Sequence, residues 1–204
     1  MLLRIHPKNP SPRQTDRVVD ILKRGGVIIY PTDTVYGLGC DIFNARAVEK
    51  IAWIRGLKPD KANFSFICHN FSHLSTYTRH ISNPVFNIMK RHLPGPFTFI
   101  LEANSNVPKL FKNKKRTVGI RIPDHKIPIE IVAKLGNPLL TTSIHDYDKL
   151  IDYTTDPELI HENFGHLVDL VIDGGFGNNV PSTVIDCTVM PPKVIRQGMG
   201  IFEE

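Results

Sequence analysis

The sequence predicts a single α/β domain built on a twisted mixed sheet with helices outside it, residues 1–204 forming one unit. Three observations carry that expectation. Amphipathic stretches alternate with short β-branched runs early in the chain, and strand candidates crowd its later part. The 204 residues are 41% apolar, enough to bury a core without disulfide staples. Sixteen Pro and 14 Gly are spread as punctuation, and no repeat, low-complexity tract or linker divides the chain.

Residues Arg13 to Arg24 read as an amphipathic helix with Val18, Val19, Ile21 and Leu22 on one stripe, ended by Gly25 and Gly26. Val27 to Tyr30 is a β-branched run and reads as a buried strand. Ala45 to Arg55 reads as a second helix, with Asn44 as its N-cap. Phe64 to Cys68 follows as a strand, and Pro84 to Arg91 as a helix stopped by Pro94, Gly95 and Pro96. Phe97–Leu101 and Thr117–Ile122 are strands, Ile127–Leu135 is a helix ended at Gly136, and Leu139–Ser143 is a strand. Pro157–Phe164 is a helix with Asp156 at its cap position. Val168–Ile172, Thr183–Asp186 and Lys193–Arg196 complete the strands.

Lys plus Arg is 25 and Asp plus Glu is 20, a net charge of +5 that suits an anionic partner such as a nucleotide or RNA and equally describes a merely soluble basic protein. The three Cys (Cys40, Cys68, Cys187) form no C-x-x-C pair, which excludes a disulfide framework and a zinc ribbon and fits a reducing compartment. Met1 to Pro10 holds no apolar signal core, and no apolar run approaches the roughly 18 residues that span a bilayer. A cytoplasmic protein with no membrane partner is expected.

The chemistry concentrates in the segment from Tyr30 to Cys40, YPTDTVYGLGC. It follows a buried strand and precedes a helix, the position where α/β sheets bind ligands. Thr32, Thr34 and Tyr36 place three hydroxyls beside Gly37 and Gly39, which permit close backbone approach or positive φ. The bland alternative is a Thr- and Gly-rich turn.

This segment resembles the opening signature of the YrdC/YciO family, which includes the threonylcarbamoyl-adenylate synthases. The likeness continues in order: LPGPFTFIL from Leu93, TVGIRIP from Thr117, PSTVID from Pro181 and VIRQG from Val194, so that residues 13–200 bear the motifs. The resemblance implies a YrdC-like domain with a positively charged concave cavity. It implies that L-threonine, bicarbonate and ATP yield threonylcarbamoyl-AMP and pyrophosphate for tRNA modification, with a tRNA transferase downstream. A carbamate oxygen would attack the α-phosphate of ATP, two anions meeting with Mg²⁺ and protein cations between them. It further implies that Thr32, Thr34, Tyr36, Thr141 and Ser182 line the threonine pocket and that Arg121 holds the threonine carboxylate as a bidentate partner. Arg55, Lys58, Thr117, Ser143, His145 and Arg196 fall at nucleotide-contacting positions. No catalytic base and no protein metal site is assigned.

Two stretches depart from the synthase pattern and resemble the YciO branch. Where synthases carry Lys-x-Arg-Pro, this chain reads RGLKPDK from Arg55, with Lys58 one residue displaced. Where they carry Ser-x-Asn, His145 stands at the Asn place. Lys and Arg differ at a phosphate clamp, and an imidazole offers one donor and one acceptor where an amide offers more.

Outside these motifs, Lys109, Lys112, Lys114, Lys115 and Arg116 place five cations in eight positions. They suit tRNA or double-stranded RNA, the alternative being a solvated loop. A non-catalytic RNA-binding module is therefore the second functional reading. Gly174–Asn179 lacks the Gly-Lys-Ser/Thr of a P-loop and reads as a turn. His145, Asp146 and Asp148 match no strong metal spacing and read as a polar loop.

Overall fold

The computed structural model describes residues 1–57, 64–109, 116–144 and 154–203. In chain order the elements are β1 (Leu2–Arg4), α1 (Pro12–Lys23), β2 (Ile28–Tyr30), β3 (Gly37–Asp41), α2 (Ala45–Ile54), β4 (Ser65–Ile67), α3 (Phe71–Ser75), α4 (Asn83–His92), β5 (Phe97–Glu102), β6 (Thr117–Arg121), α5 (Lys126–Leu135), β7 (Leu139–Ser143), α6 (Pro157–Phe164), β8 (Leu170–Asp173), β9 (Thr183–Asp186) and β10 (Lys193–Arg196). Among the described residues the strands form one sheet, ordered β1-β8-β2-β3-β7-β4-β6-β5-β9-β10. The sheet is mixed: β1 and β2 flank β8 in parallel, β4 runs parallel to β6 and β5 to β9, and the other pairs are antiparallel.

Local chemistry accounts for the helix ends. The Asn44 side chain accepts from the Ala47 amide at 3.0 Å and starts α2, and Asp156 accepts from Glu158 at 2.8 Å and starts α6. Gly136 ends α5 in the left-handed region at φ 80°.

Two short elements escape a sequence reading. β1 is three residues held by pairing with β8, far away in sequence, and α3 is five residues started by the Asn70 cap. The Tyr30–Cys40 segment also needs correction. Its second half is not loop but strand β3, in a hairpin with β2 that pairs Ile28 with Gly39. Glycines have little strand preference of their own, and here pairing on both sides decides.

Strand alternation gives the sheet two unlike faces. One carries Ile29, Leu38, Leu140, Phe66, Val171, Ile120, Phe99 and Ile185, buried under α2, α4 and α6. On the other, Ile28, Tyr30, Leu139, Ile67, Leu170 and Ile172 are buried under α1 and α5. These two helices reach over only part of that face.

One polar pair lies within the packing of the first face. The Nδ1 atoms of His69 and His73 stand 2.9 Å apart, and the His73 Nε2 is buried with no partner among the described residues. Burial, and then the neighbouring His69, pull the His73 pKa from 6.5 down to about 4. An unfolded His73 takes its proton at about pH 6.5, whereas the folded one resists it. The stability from a neutral His73 is therefore complete above that pH and is lost as pH falls towards 4. Calorimetry between pH 7 and 4.5 should show Tm falling less in His73→Gln than in the parent protein; parallel falls would remove His73 from the acid response.

Candidate functional site

The part of the second face that α1 and α5 leave uncovered is lined by small and polar groups. Register places Thr141 of β7 between Gly39 of β3 and Ser65 of β4, and Ser65 opposite Gly119 of β6. Directly paired residues share a face, so these four form one row across four strands. Ser143 and Thr117 lie two residues to one side of that row, and Arg121 two residues to the other, putting about 13 Å of strand between Thr117 and Arg121. Ser65, Gly119, Thr117 and Ser143 are only half-buried, although their strands sit mid-sheet. The row is thus the floor of an open strip.

The glycines keep that floor low. The Tyr30 ring lies across Gly37 and Gly39, and its hydroxyl donates to the Thr141 Oγ1 at 2.7 Å. A Cβ on Gly39 would stand 2.9 Å from the Tyr30 Cε1 and run into the Leu140 carbonyl. Of the two roles the sequence offered these glycines, close approach is the one used; neither has positive φ.

Arg121 ends β6 with its side chain 8% exposed. Its Nη2 donates to the Asp33 Oδ1 at 2.8 Å and to the Thr34 Oγ1 at 3.0 Å. Its Nε is buried with no partner among the described residues. Arginine cannot accept, so the Thr34 hydroxyl accepts here and has its own proton to give. Thr32 donates to the Val35 carbonyl at 2.8 Å. The 3.1 Å contact between the two hydroxyls therefore runs from Thr34 to Thr32. A one-way chain results: Arg121 to Thr34 to Thr32 to Val35. The guanidinium keeps unused donors, and Thr34 keeps one acceptor lone pair.

A second cluster forms beside it. Ser182, just before β9, and Thr98 of β5 share a hydrogen bond of 2.8 Å. Arg196 donates to the Ser182 carbonyl from Nη2 at 2.7 Å and from Nε at 3.2 Å, with Nη2 also 3.3 Å from the hydroxyl. The segment after β10 folds onto them: the Met199 amide donates to the Pro181 carbonyl at 2.8 Å, and Thr183 donates to the Gly200 carbonyl at 2.6 Å. A Cβ at Gly198 would collide with the Pro181 carbonyl and the Ser182 backbone. Thr98 pairs one position before the Phe99–Ile120 match, level with Arg121.

The structure thus brings Thr32, Thr34 and Arg121 together, and Ser182 with Arg196, while Thr141, Thr117 and Ser143 line the strip. Tyr36 does not join them. Its side chain is buried in the first-face core, and its hydroxyl donates to the Gly175 carbonyl at 2.6 Å, fixing the glycine-rich turn. Arg55 closes α2 and lines a small apolar recess with Ile29, Leu38, Ile144 and Phe164, on the other face of the sheet. Lys58, His145, Lys112, Lys114 and Lys115 lie outside the described residues. Of the basic run, Lys109 and Arg116 are described, Arg116 with φ 52°. Cys68 follows β4, buried, and burial pushes its thiol up to about 12, so it is no thiolate.

Asp33, Thr98 and Ser65 belong to this site and were missed from sequence. Asp33 had a signal: it sits between two site threonines. Thr98 and Ser65 enter only through strand register, which one sequence does not reveal.

Two stability effects follow from the floor. Gly39→Ala should cost about 1–3 kcal/mol, since the Leu140 backbone cannot yield. Tyr30→Phe should cost about 1 kcal/mol by removing the bond to Thr141. Urea unfolding measures both, and a Gly39→Ala protein as stable as the parent would show that the floor tolerates a methyl group.

Comparison with known proteins adds the relationships. The Sua5–YciO–YrdC family profile, which bears the description telomere recombination, matches residues 20–198. The Escherichia coli protein YciO is 42% identical over 96% of this chain and 94% of its own length. Its crystal structure superposes with a TM-score of 0.91 at 40% identity, covering 98% of this chain and 97% of that one. The Pyrococcus abyssi threonylcarbamoyl-AMP synthase is 30% identical over 90% of this chain but only 53% of its own length. The structure of P. abyssi Sua5 complexed with L-threonine gives a TM-score of 0.87 at 27% identity, over 97% of this chain and 57% of that one.

Proposed function

The chain belongs to the Sua5–YciO–YrdC family, and from that membership we propose that it forms threonylcarbamoyl-AMP, or a close variant, from L-threonine, bicarbonate and ATP. The observation that carries the reading is Arg121: a buried guanidinium with unused donors beside an uncovered polar strip. A buried cationic donor without a partner is costly, and a ligand oxygen anion relieves that cost. The threonine carboxylate is the anion assigned to it. A ligand group that donates, such as the substrate hydroxyl or amine, suits the free lone pair on Thr34.

The nucleotide would extend along the strip towards Thr117 and Ser143. Its α-phosphate would lie near Ser182 and Arg196, where a second cation offsets the meeting of carbamate and phosphate. The carbamate oxygen attacks the α-phosphorus, the bond to the bridging oxygen breaks, and pyrophosphate leaves with its electron pair. No covalent enzyme nucleophile is needed; orientation and charge do the work. Mg²⁺ would enter on the phosphates of ATP. Arg55, on the opposite face, would take no part in this reaction.

Purified protein incubated with ATP, Mg²⁺, bicarbonate and L-threonine should yield threonylcarbamoyl-AMP and pyrophosphate by mass spectrometry, with serine and no-amino-acid controls alongside. Arg121→Ala should lower kcat/KM for threonine on the order of a hundredfold. Arg121→Lys should recover part of it, since lysine keeps the charge but not the planar fork. Threonine-independent turnover, or an active Arg121→Ala protein, overturns the reading.

A further inference from the structure

Asp33 joins separate segments of the site through both its carboxylate and its carbonyl. Its Oδ1 accepts from the Arg121 Nη2 at 2.8 Å, and its Oδ2 from the Asp124 amide at 3.1 Å. Its carbonyl accepts from the Asn178 side-chain amide at 3.1 Å, and the Asn178 backbone amide donates to the next carbonyl, Thr34, also at 3.1 Å. The β2–β3 loop, the end of β6, the start of the β6–α5 turn and the glycine-rich turn after β8 all meet at this residue. Its side chain is 10% exposed.

Hydrogen-bond counting gives that junction a consequence. The Nη2 of Arg121 carries two protons; Asp33 takes one and Thr34 the other. With Nη2 saturated, only Nε and Nη1 remain to meet a ligand, and the guanidinium plane cannot turn without breaking a charge-assisted bond. Thr34 alone would hold it weakly, because that hydroxyl also belongs to the chain through Thr32.

We infer that Asp33 is the positioning residue of Arg121: its carboxylate pins one end of the guanidinium so that the free donors face the ligand in a single orientation. Asp33 itself stays out of the reacting atoms. As a statement about ligand binding this rests on the threonine reading above; as a statement about Arg121 it does not.

Asp33→Asn tests it, because the amide preserves size but removes the charge and leaves one acceptor oxygen, so the bonds from Arg121 and from the Asp124 amide cannot both persist. Asp33→Glu serves as a second variant that keeps the charge and displaces it. The first readout needs no ligand. In ¹⁵N-labelled protein the Arg121 Nε–H signal, identified by its absence from Arg121→Lys, should be resolved in the parent and be broadened or shifted towards free arginine in Asp33→Asn. The second readout is kinetic. Asp33→Asn should raise KM for threonine tenfold or more and change kcat less than threefold, with Asp33→Glu between it and the parent. A merely structural role would instead lower the active fraction, and hence apparent kcat, at constant KM. An unchanged Arg121 signal in a folded Asp33→Asn protein overturns the inference, as does a pure kcat loss. If Asp33→Asn fails to fold, an Arg121 signal unmoved in Asp33→Glu overturns it equally. If the parent ignores threonine while the Arg121 signal responds to Asp33→Asn, the positioning role stands and the threonine reading falls.

Discussion

The difference between the two faces of one sheet governs this protein. A strand turns alternate side chains to opposite sides, so β3, β7, β4 and β6 can each put bulk on one side and almost nothing on the other. Leu38, Leu140, Phe66 and Ile120 seal the first face. Gly39, Thr141, Ser65 and Gly119 leave the second one shallow. Helices α1 and α5 bury the apolar residues that remain on the second face, and the uncovered strip is where polar groups collect. The site is therefore a by-product of strand register: a one-residue slip in β6 would turn Arg121 into the core and Ile120 into the strip.

Placing a guanidinium at the edge of that strip carries a penalty that the fold meets locally. A buried cation alone would be strongly unfavourable, and a buried carboxylate alone likewise. Arg121 and Asp33 answer each other, and the Asp124 amide takes up the second carboxylate oxygen. The ion pair is incomplete in one respect, the unpartnered Nε. The ligand contact proposed above would complete that open donor.

Much of this was legible in the sequence. The long helices declared themselves through apolar spacing and through the Asn44 and Asp156 caps, and the sheet class through alternation. Arg121, Thr32, Thr34, Ser182 and Arg196 were legible because they sit in ordered family motifs. The unread parts share a cause, dependence on distant partners. β1 exists because β8 is beside it, and Thr98 joins the site because β9 brings Ser182 to it. Tyr36 stands apart from the strip for the opposite reason. Its motif suggests a ligand contact, but its side chain is packed in the core, and its hydroxyl is held by a turn 139 residues later.

The turn that follows β10 has a bearing on the protein while it is being made. Ser182 is held in place by Arg196, and its neighbours by the backbone from Gly198 to Gly200. Arg121, Asp33, Thr32 and Thr34 are in the chain by residue 124, but they meet only after β7 and the Asn178 turn have followed. The Ser182–Arg196 cluster is therefore the last part of the candidate site to close. The candidate site is complete only once residue 200 has cleared the ribosome's exit tunnel.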